Sequence, residues 1–270
     1  MRIEVHKIII TPYGEEISYR VMLPKGYDSS NHSYPVIYLN DGQSVFGGQY
    51  SVGESLEYTT YYNDYIQTLP QVIIVGIDRR AGGVERTTAF GPPTSITVIS
   101  IDNGKAVTYA GTGDQYSKWI VEEFKPLIDK NYRTKPEGEW TGIGGYSSGG
   151  NSALYTQMTY PTVFSRVLML GAAFFLWDYW FEEGIAHSNS IGSIKYLYML
   201  CGTNEVTPSG SKERMLAANR NLFRQLLAKG LPPANVRFYE IKDGSHAISQ
   251  WRPFFPDALR WVFQDIKNKC

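Results

Sequence analysis

Cysteine is scarce in this chain. There are two in 270 residues, Cys201 in an apolar run and Cys270 at the end. That pattern offers neither a disulfide framework nor a metal-ligand spacing, and it reads as one buried and one solvent-exposed thiol. Net charge is absent too, with 26 Lys and Arg against 26 Asp and Glu. A nucleic-acid or other polyanion partner normally brings a basic excess, so none is expected. No apolar stretch reaches the length of a membrane span, and the three isoleucines of MRIEVHKIII are too short for a secretory signal core. No membrane contact is expected, and the expected compartment is the cytoplasm. Histidine is also rare. His6, His32, His187 and His246 are all there are, so the search for a catalytic base is short.

What is present is ordinary globular chemistry, 43% hydrophobic and 19% charged, with an excess of aromatics: 20 Tyr, 12 Phe and 6 Trp. Aromatics in such numbers fill a core and can line an apolar cleft. With no internal repeat, low-complexity tract or linker, residues 1–270 read as one domain.

Short runs rich in β-branched and aromatic residues punctuate the chain at Pro35–Asn40, Val72–Ile77, Trp140–Tyr146, Val167–Leu170, Ile194–Leu200 and Val236–Ile241. Each is bounded by Gly, Pro, Asn or Asp and reads as a buried strand. Arg2–Ile10 and Ile17–Leu23, joined by Thr-Pro-Tyr-Gly, read as an antiparallel hairpin. Helical spacing falls at Tyr116–Asp129, Ser148–Tyr160, Ser211–Lys229 and Pro256–Lys267, with Gly230 placed to cap the third. Strands alternating with helices predict an α/β fold: a mostly parallel central sheet, helices on both faces, and an antiparallel hairpin at its start. Three Gly-, Tyr- and Trp-rich segments, Phe46–Thr68, Arg79–Gly113 and Ala173–Ser193, break the alternation. They leave from C-terminal strand ends, where open α/β sheets bind ligands, and so predict the cleft walls.

The strongest local signal is Gly145-Tyr146-Ser147-Ser148-Gly149. It fits G-x-S-x-G between a predicted strand and a predicted helix. A nucleophile on so sharp a turn needs small neighbours two residues to either side. Ser147 has them, whereas Ser148 has Tyr146 two before it. Ser148 is expected instead to offer its backbone N–H to an oxyanion. The plain alternative is a Gly-Ser turn that caps a helix. Among the four histidines only His246 follows the last predicted strand, on the sheet edge that carries Ser147, in the chain order serine, acid, histidine. Glu205, in Cys201-Gly202-Thr203-Asn204-Glu205, is the acid that fits that order. Asp243 and Asp178 compete for the role, and Asp243 reads better as a turn residue. A second oxyanion donor is expected after an early strand, at Gln43 in Asn40-Asp41-Gly42-Gln43. An Asp-Gly turn with no further role reads equally well there.

With these residues in hand, the chain resembles the esterase D and enterochelin-esterase-like family of α/β-hydrolases over almost its whole length. The likeness is carried by LPKGYD (23–28), YPVIYLNDGQ (34–43), IIVGID (73–78), EEFKPLIDKNYRT (122–134), GGYSSGGNSALY (144–155), YPTVFSRV (160–167), CGTNE (201–205) and GSHAISQW (244–251). It implies an α/β-hydrolase fold and a catalytic triad of Ser147, Glu205 and His246, with Ser148 and Gln43 donating to the oxyanion. The implied activity is that of a serine carboxylesterase acting on a small-molecule ester with no cofactor. Siderophore trilactones, carbohydrate acyl esters and simple short-chain esters are the candidate substrates. An acyltransferase using the same acyl-enzyme, and a non-catalytic binding module on the same fold, are the alternatives. Arg79, Arg80 and Arg86 leave a strand end near the expected cleft and suit an anionic group, although such arginines are more often solvated or tie loops together. Ala89 replaces the acidic residue that relatives place three after the arginine, so Arg86 has no evident partner. Phe174 and Trp177 are candidates to hold an acyl or aromatic group.

Overall fold

The computed structural model describes residues 1–65, 67–99, 106–206 and 213–266. Cys270 and the expected ends of two helices, Ser211 and Lys267, lie outside them. The strands are β1 (Arg2–Ile10), β2 (Glu15–Leu23), β3 (Val36–Asn40), β4 (Ile73–Ile77), β5 (Ser95–Ile99), β6 (Ala106–Ala110), β7 (Thr141–Tyr146), β8 (Arg166–Leu170), β9 (Tyr196–Gly202) and β10 (Val236–Ile241). Eight form one sheet in the order β1-β2-β4-β3-β7-β8-β9-β10. The β1–β2 and β2–β4 pairs are antiparallel, and every pair from β4 to β10 is parallel. β5 and β6 form a separate antiparallel hairpin. The hairpin at the sheet's start and the parallel sheet that follows agree with the sequence reading.

The helices are α1 (Tyr58–Tyr65), α2 (Gly83–Phe90), α3 (Gly113–Trp119), α4 (Lys125–Asn131), α5 (Ser148–Thr159), α6 (Asp178–His187), α7 (Glu213–Ala228), α8 (Ile248–Trp251) and α9 (Phe255–Val262). A π-helical stretch, Ile120–Phe124, joins α3 to α4, so the single helix expected at Tyr116–Asp129 is present with an internal irregularity. Strand parity sorts the core, because neighbouring side chains point to opposite faces. Val36, Tyr38, Val167 and Met169 pack with α3, α5 and α7 on one face. Ile37, Leu39, Leu168 and Leu170 pack with α1 and α9 on the other. The central strands are buried on both faces, which is why they read as unbroken apolar runs.

The three segments that break the alternation hold α1, α2, α6 and the β5–β6 hairpin. Tyr58-Thr-Thr-Tyr-Tyr-Asn-Asp-Tyr65 is a poor intrinsic helix former. It is helical because Tyr58 and Tyr62, one turn apart, are buried against the second core.

One charged group ties the start of β8 to the turn that follows α9. Arg166 opens β8, is fully buried, and holds Asp265 through two bonds of 2.7 and 3.0 Å. Lys195 reaches the same carboxylate at 2.7 Å. Burial raises the Asp265 pKa, but these two cations outweigh it and hold it at about 2, against 3.8 for an unperturbed group. A carboxyl whose folded pKa is depressed stabilises the fold fully above its unfolded value and loses that contribution as pH falls through the folded one. Stability should therefore drop by about 2 kcal/mol between about pH 4 and 2 on this account. Asp265→Asn should flatten that part of a chemical-denaturation profile, and an unchanged slope would remove the assignment.

Candidate active site

β7 ends in a sharp turn into α5, and Ser147 sits on it with φ 52° and ψ −128°. A non-glycine residue in this region is strained by about 1–3 kcal/mol and persists only where its surroundings hold it. Here the Ser147 N–H donates to the Leu170 carbonyl at 2.9 Å, and the Ser147 carbonyl accepts from Gly150 at 3.0 Å and Ala173 at 3.3 Å. A Cβ on Gly145 would lie 2.7 Å from the Gly149 backbone, so the turn closes only with glycine there.

His246 lies between β10 and α8. Its Nε2 is 3.0 Å from Ser147 Oγ, and its Nδ1 is 2.8 Å from Glu205 Oε2. Glu205 is fully buried. Its Oε1 accepts the Gly202 N–H at 2.7 Å and the Trp251 indole N–H at 3.2 Å. With Oε1 occupied, Oε2 is left to receive Nδ1–H, which puts the imidazole lone pair on Nε2, facing the serine hydroxyl. Trp251 also stands edge-on to the His246 ring, 4.9 Å between centroids. The acid and the histidine loop are drawn together at Gly202, where a Cβ would meet the Gly244 carbonyl at 2.1 Å. Asp243, the competing acid, is exposed at φ 56° and donates its N–H to Thr203 Oγ1, a turn role. Asp178 lies 3.6 Å from Arg214.

Ser148 is the first residue of α5, and Gln43 lies in a 3₁₀ turn, Gly42–Ser44, after β3. N–H groups of a first helical turn have no acceptor within their own helix. The β3 turn is pinned to the start of α5 by Asn40, whose Nδ2 donates to the Gly149 carbonyl at 3.0 Å while Oδ1 accepts from Tyr116. Asp41 adopts the left-handed region, φ 61°, fully buried.

The arginine without an evident partner finds one here. Arg86 Nε and Nη2 grip Asp41 at 2.6 and 2.7 Å, and Nη2 also donates to the Tyr146 carbonyl at 3.2 Å. Its side chain is only 10% exposed. This corrects its reading as a substrate ligand: the guanidinium is committed to the turns on either side of the site. Burial beside Asp41 also pushes the Tyr146 hydroxyl up to about 12. Arg80 is held by Glu15 at 2.7 Å and stacks over Tyr13. Arg79 stays exposed, its backbone N–H on Gln43 Oε1 at 3.1 Å, and forms no ion pair with a described residue. Phe174 and Trp177 are both 1% exposed. Phe174 packs edge-on against Phe181, which corrects its reading as a ligand contact, whereas Trp177 packs on Gly91 and borders a cavity of about 400 Å³ with Leu176, Tyr179 and Trp180. Asp41 and Trp251 were not singled out from the sequence. Asp41 stands there in an Asp-Gly turn and Trp251 only at the end of the GSHAISQW motif, and their partners reveal more.

Among the described residues, no group of three His, Cys, Asp or Glu side chains is arranged to hold a metal ion, and no helix is long and apolar enough to cross a membrane.

The sheet order, the hairpin at its start and the helices on both faces are those of an α/β-hydrolase fold. Residues 11–262 match the model of the Esterase family, described as "Putative esterase". The chain belongs to that family and is a carboxylic ester hydrolase. It is similar to YbbA, an uncharacterized protein of Bacillus subtilis strain 168, at 24% identity over 250 residues, 91% of this chain and 92% of that one. An IroE-like serine hydrolase from Shewanella oneidensis superposes with a TM-score of 0.72 at 21% identity, covering 98% of this chain and 81% of the other. The enterobactin esterase Fes from Shigella flexneri, solved in the presence of enterobactin, gives 0.72 at 17% identity, covering 99% of this chain and 60% of its own. At these identities the structural likenesses establish the fold.

Proposed function

We propose that this esterase works through an acyl-enzyme on Ser147. The observation that carries the reading is the unbroken relay from Ser147 Oγ to His246 Nε2 at 3.0 Å and from His246 Nδ1 to the buried Glu205 at 2.8 Å, on a strained strand-to-helix turn. His246 takes the hydroxyl proton as Oγ attacks the ester carbonyl. The tetrahedral oxyanion is received by the N–H groups of Ser148 and Gln43. His246 returns the proton to the leaving alcohol, and the C–O bond to it breaks. Water then enters by the same route, and the acid leaves. Glu205 holds the imidazole tautomer and faces the cation that forms on it.

The substrate is a small-molecule ester. Arg79, exposed beside Gln43, favours one with an anionic portion, and the likeness to an enterobactin esterase supports including trilactones among the candidates. Acid-quenched intact mass after brief exposure to a panel of a catecholate trilactone, a feruloylated sugar and a short-chain ester should show one acyl adduct, mapped to the Ser147 peptide. The adduct's mass names the acid. Turnover of an ester with no adduct at Ser147 under any quench, or an adduct on another residue, would overturn the acyl-enzyme.

A further inference from the structure

The histidine reaches the serine from a short segment, residues 246–252, that leaves the sheet after β10 and runs over its edge. Something must hold that segment in register with the nucleophile turn, since a displacement of about 1 Å at a reacting group is enough to cost about a hundredfold in rate. From the inside it is held by Trp251, through its bond to Glu205. From the outside it is met by the loop after β3. Glu54 Oε1 accepts the Ser249 N–H at 2.7 Å, the Ile248 backbone N–H also faces the Glu54 carboxylate, and the Ser55 carbonyl accepts Arg252 Nε at 2.8 Å. The same loop folds back on the proposed oxyanion turn. Val52 N–H donates to the Gln43 carbonyl at 2.8 Å, and Leu56 N–H to the Ser44 carbonyl at 2.9 Å.

We infer that Glu54 is a positioning residue for catalysis: it fastens the His246 segment to the loop that carries Gln43, so that base and oxyanion donor keep a common frame. The inference rests on the roles proposed above for His246 and Gln43. Glu54 is exposed, and so belongs to no core whose packing would explain it. Burial alone would raise its pKa, yet the bonds from Ser249 and Ile248, with Arg252 nearby, hold it below the usual carboxylate range, which keeps the anchor charged. The contact joins residues 195 positions apart, so nothing local requires it.

The test reads the reaction of Ser147 with a fluorophosphonate, in which an Oγ–P bond forms, fluoride leaves and His246 takes the hydroxyl proton. It needs no knowledge of the natural substrate. Glu54→Ala should lower the maximal phosphonylation rate about tenfold, leave the half-saturating probe concentration within about twofold, and leave the melting temperature within about 2 °C. Glu54→Gln keeps an oxygen that accepts the Ser249 N–H and should stay within about threefold of the wild type. His246→Ala is run beside them. If it labels slowly while Glu54→Ala labels at the wild-type rate, the inference on Glu54 falls and the base assignment stands. Equal slowing in Glu54→Gln and Glu54→Ala also overturns the hydrogen-bond anchor. If His246→Ala labels as fast as the wild type, the base assignment fails and the inference falls with it.

Discussion

Ser147→Ala should lower hydrolysis of a chromogenic short-chain acyl ester by about 10⁴-fold or more while leaving the protein folded. The size follows from the loss of the atom proposed to form the acyl bond. What remains are the proposed oxyanion donors, the Ser148 and Gln43 N–H groups, and the binding cleft, which can still polarise the carbonyl but leave only unpositioned water to attack it. The fold should survive because alanine keeps the Cβ already accommodated at φ 52°, and the backbone bonds to Leu170, Gly150 and Ala173 do not involve the hydroxyl. Among the described residues, the only side-chain bond lost is the one to His246. Glu205 still orients the ring, so the thermal midpoint should move by no more than about 2–4 °C. Circular dichroism and the melt provide that control. Substantial turnover in a folded Ser147→Ala protein would remove Ser147 as nucleophile.

Much of this site is legible in the sequence because the chemistry it needs restricts residue type. Glycine is required where the turn closes on itself, as at Gly145, and that requirement leaves a pattern. With only four histidines, position after the last strand was enough to single out His246, which the structure places 3.0 Å from Ser147. The central strands are legible because they are buried on both faces. The insertions are less so. α1 is a helix of tyrosines held by tertiary contact, whereas the β5–β6 hairpin does carry a turn signal, Asn103-Gly104 between two alternating runs, inside a segment that otherwise reads as irregular. The long-range polar pairs are hidden most completely. Arg86 looks unpartnered three residues before Ala89, yet its acid lies 45 positions away, in the turn after β3. Trp251 is one residue of the GSHAISQW motif with no evident role until its indole N–H is seen on Glu205. In each case the informative property is a pairing in space, to which local composition is blind.

Arg86→Met should be the most damaging single change outside the relay, lowering stability by about 3–5 kcal/mol. Asp41 is fully buried, and both of its oxygens are bound by Arg86. Removing the guanidinium leaves an anion in the interior without its compensating charge, and that loss exceeds what the intact pair contributes relative to two neutral groups. Against a typical total of about 5–15 kcal/mol, urea unfolding should show it plainly. The double change Arg86→Met with Asp41→Asn separates charge from packing. Asparagine tolerates the left-handed backbone at position 41 and carries no charge to strand. It should recover more than half of the loss, whereas equal instability in single and double variants would mean that shape, not charge, holds this corner. Catalysis should respond differently. Arg86 also holds the Tyr146 carbonyl, one residue before Ser147, and Asp41 lies two residues before Gln43. The pair thus braces the Ser147 turn against the turn of the proposed oxyanion donor, Gln43. The double variant, stable enough to assay, should therefore remain about tenfold or more below the wild type in kcat. Full recovery of kcat along with stability would show that the pair serves folding alone.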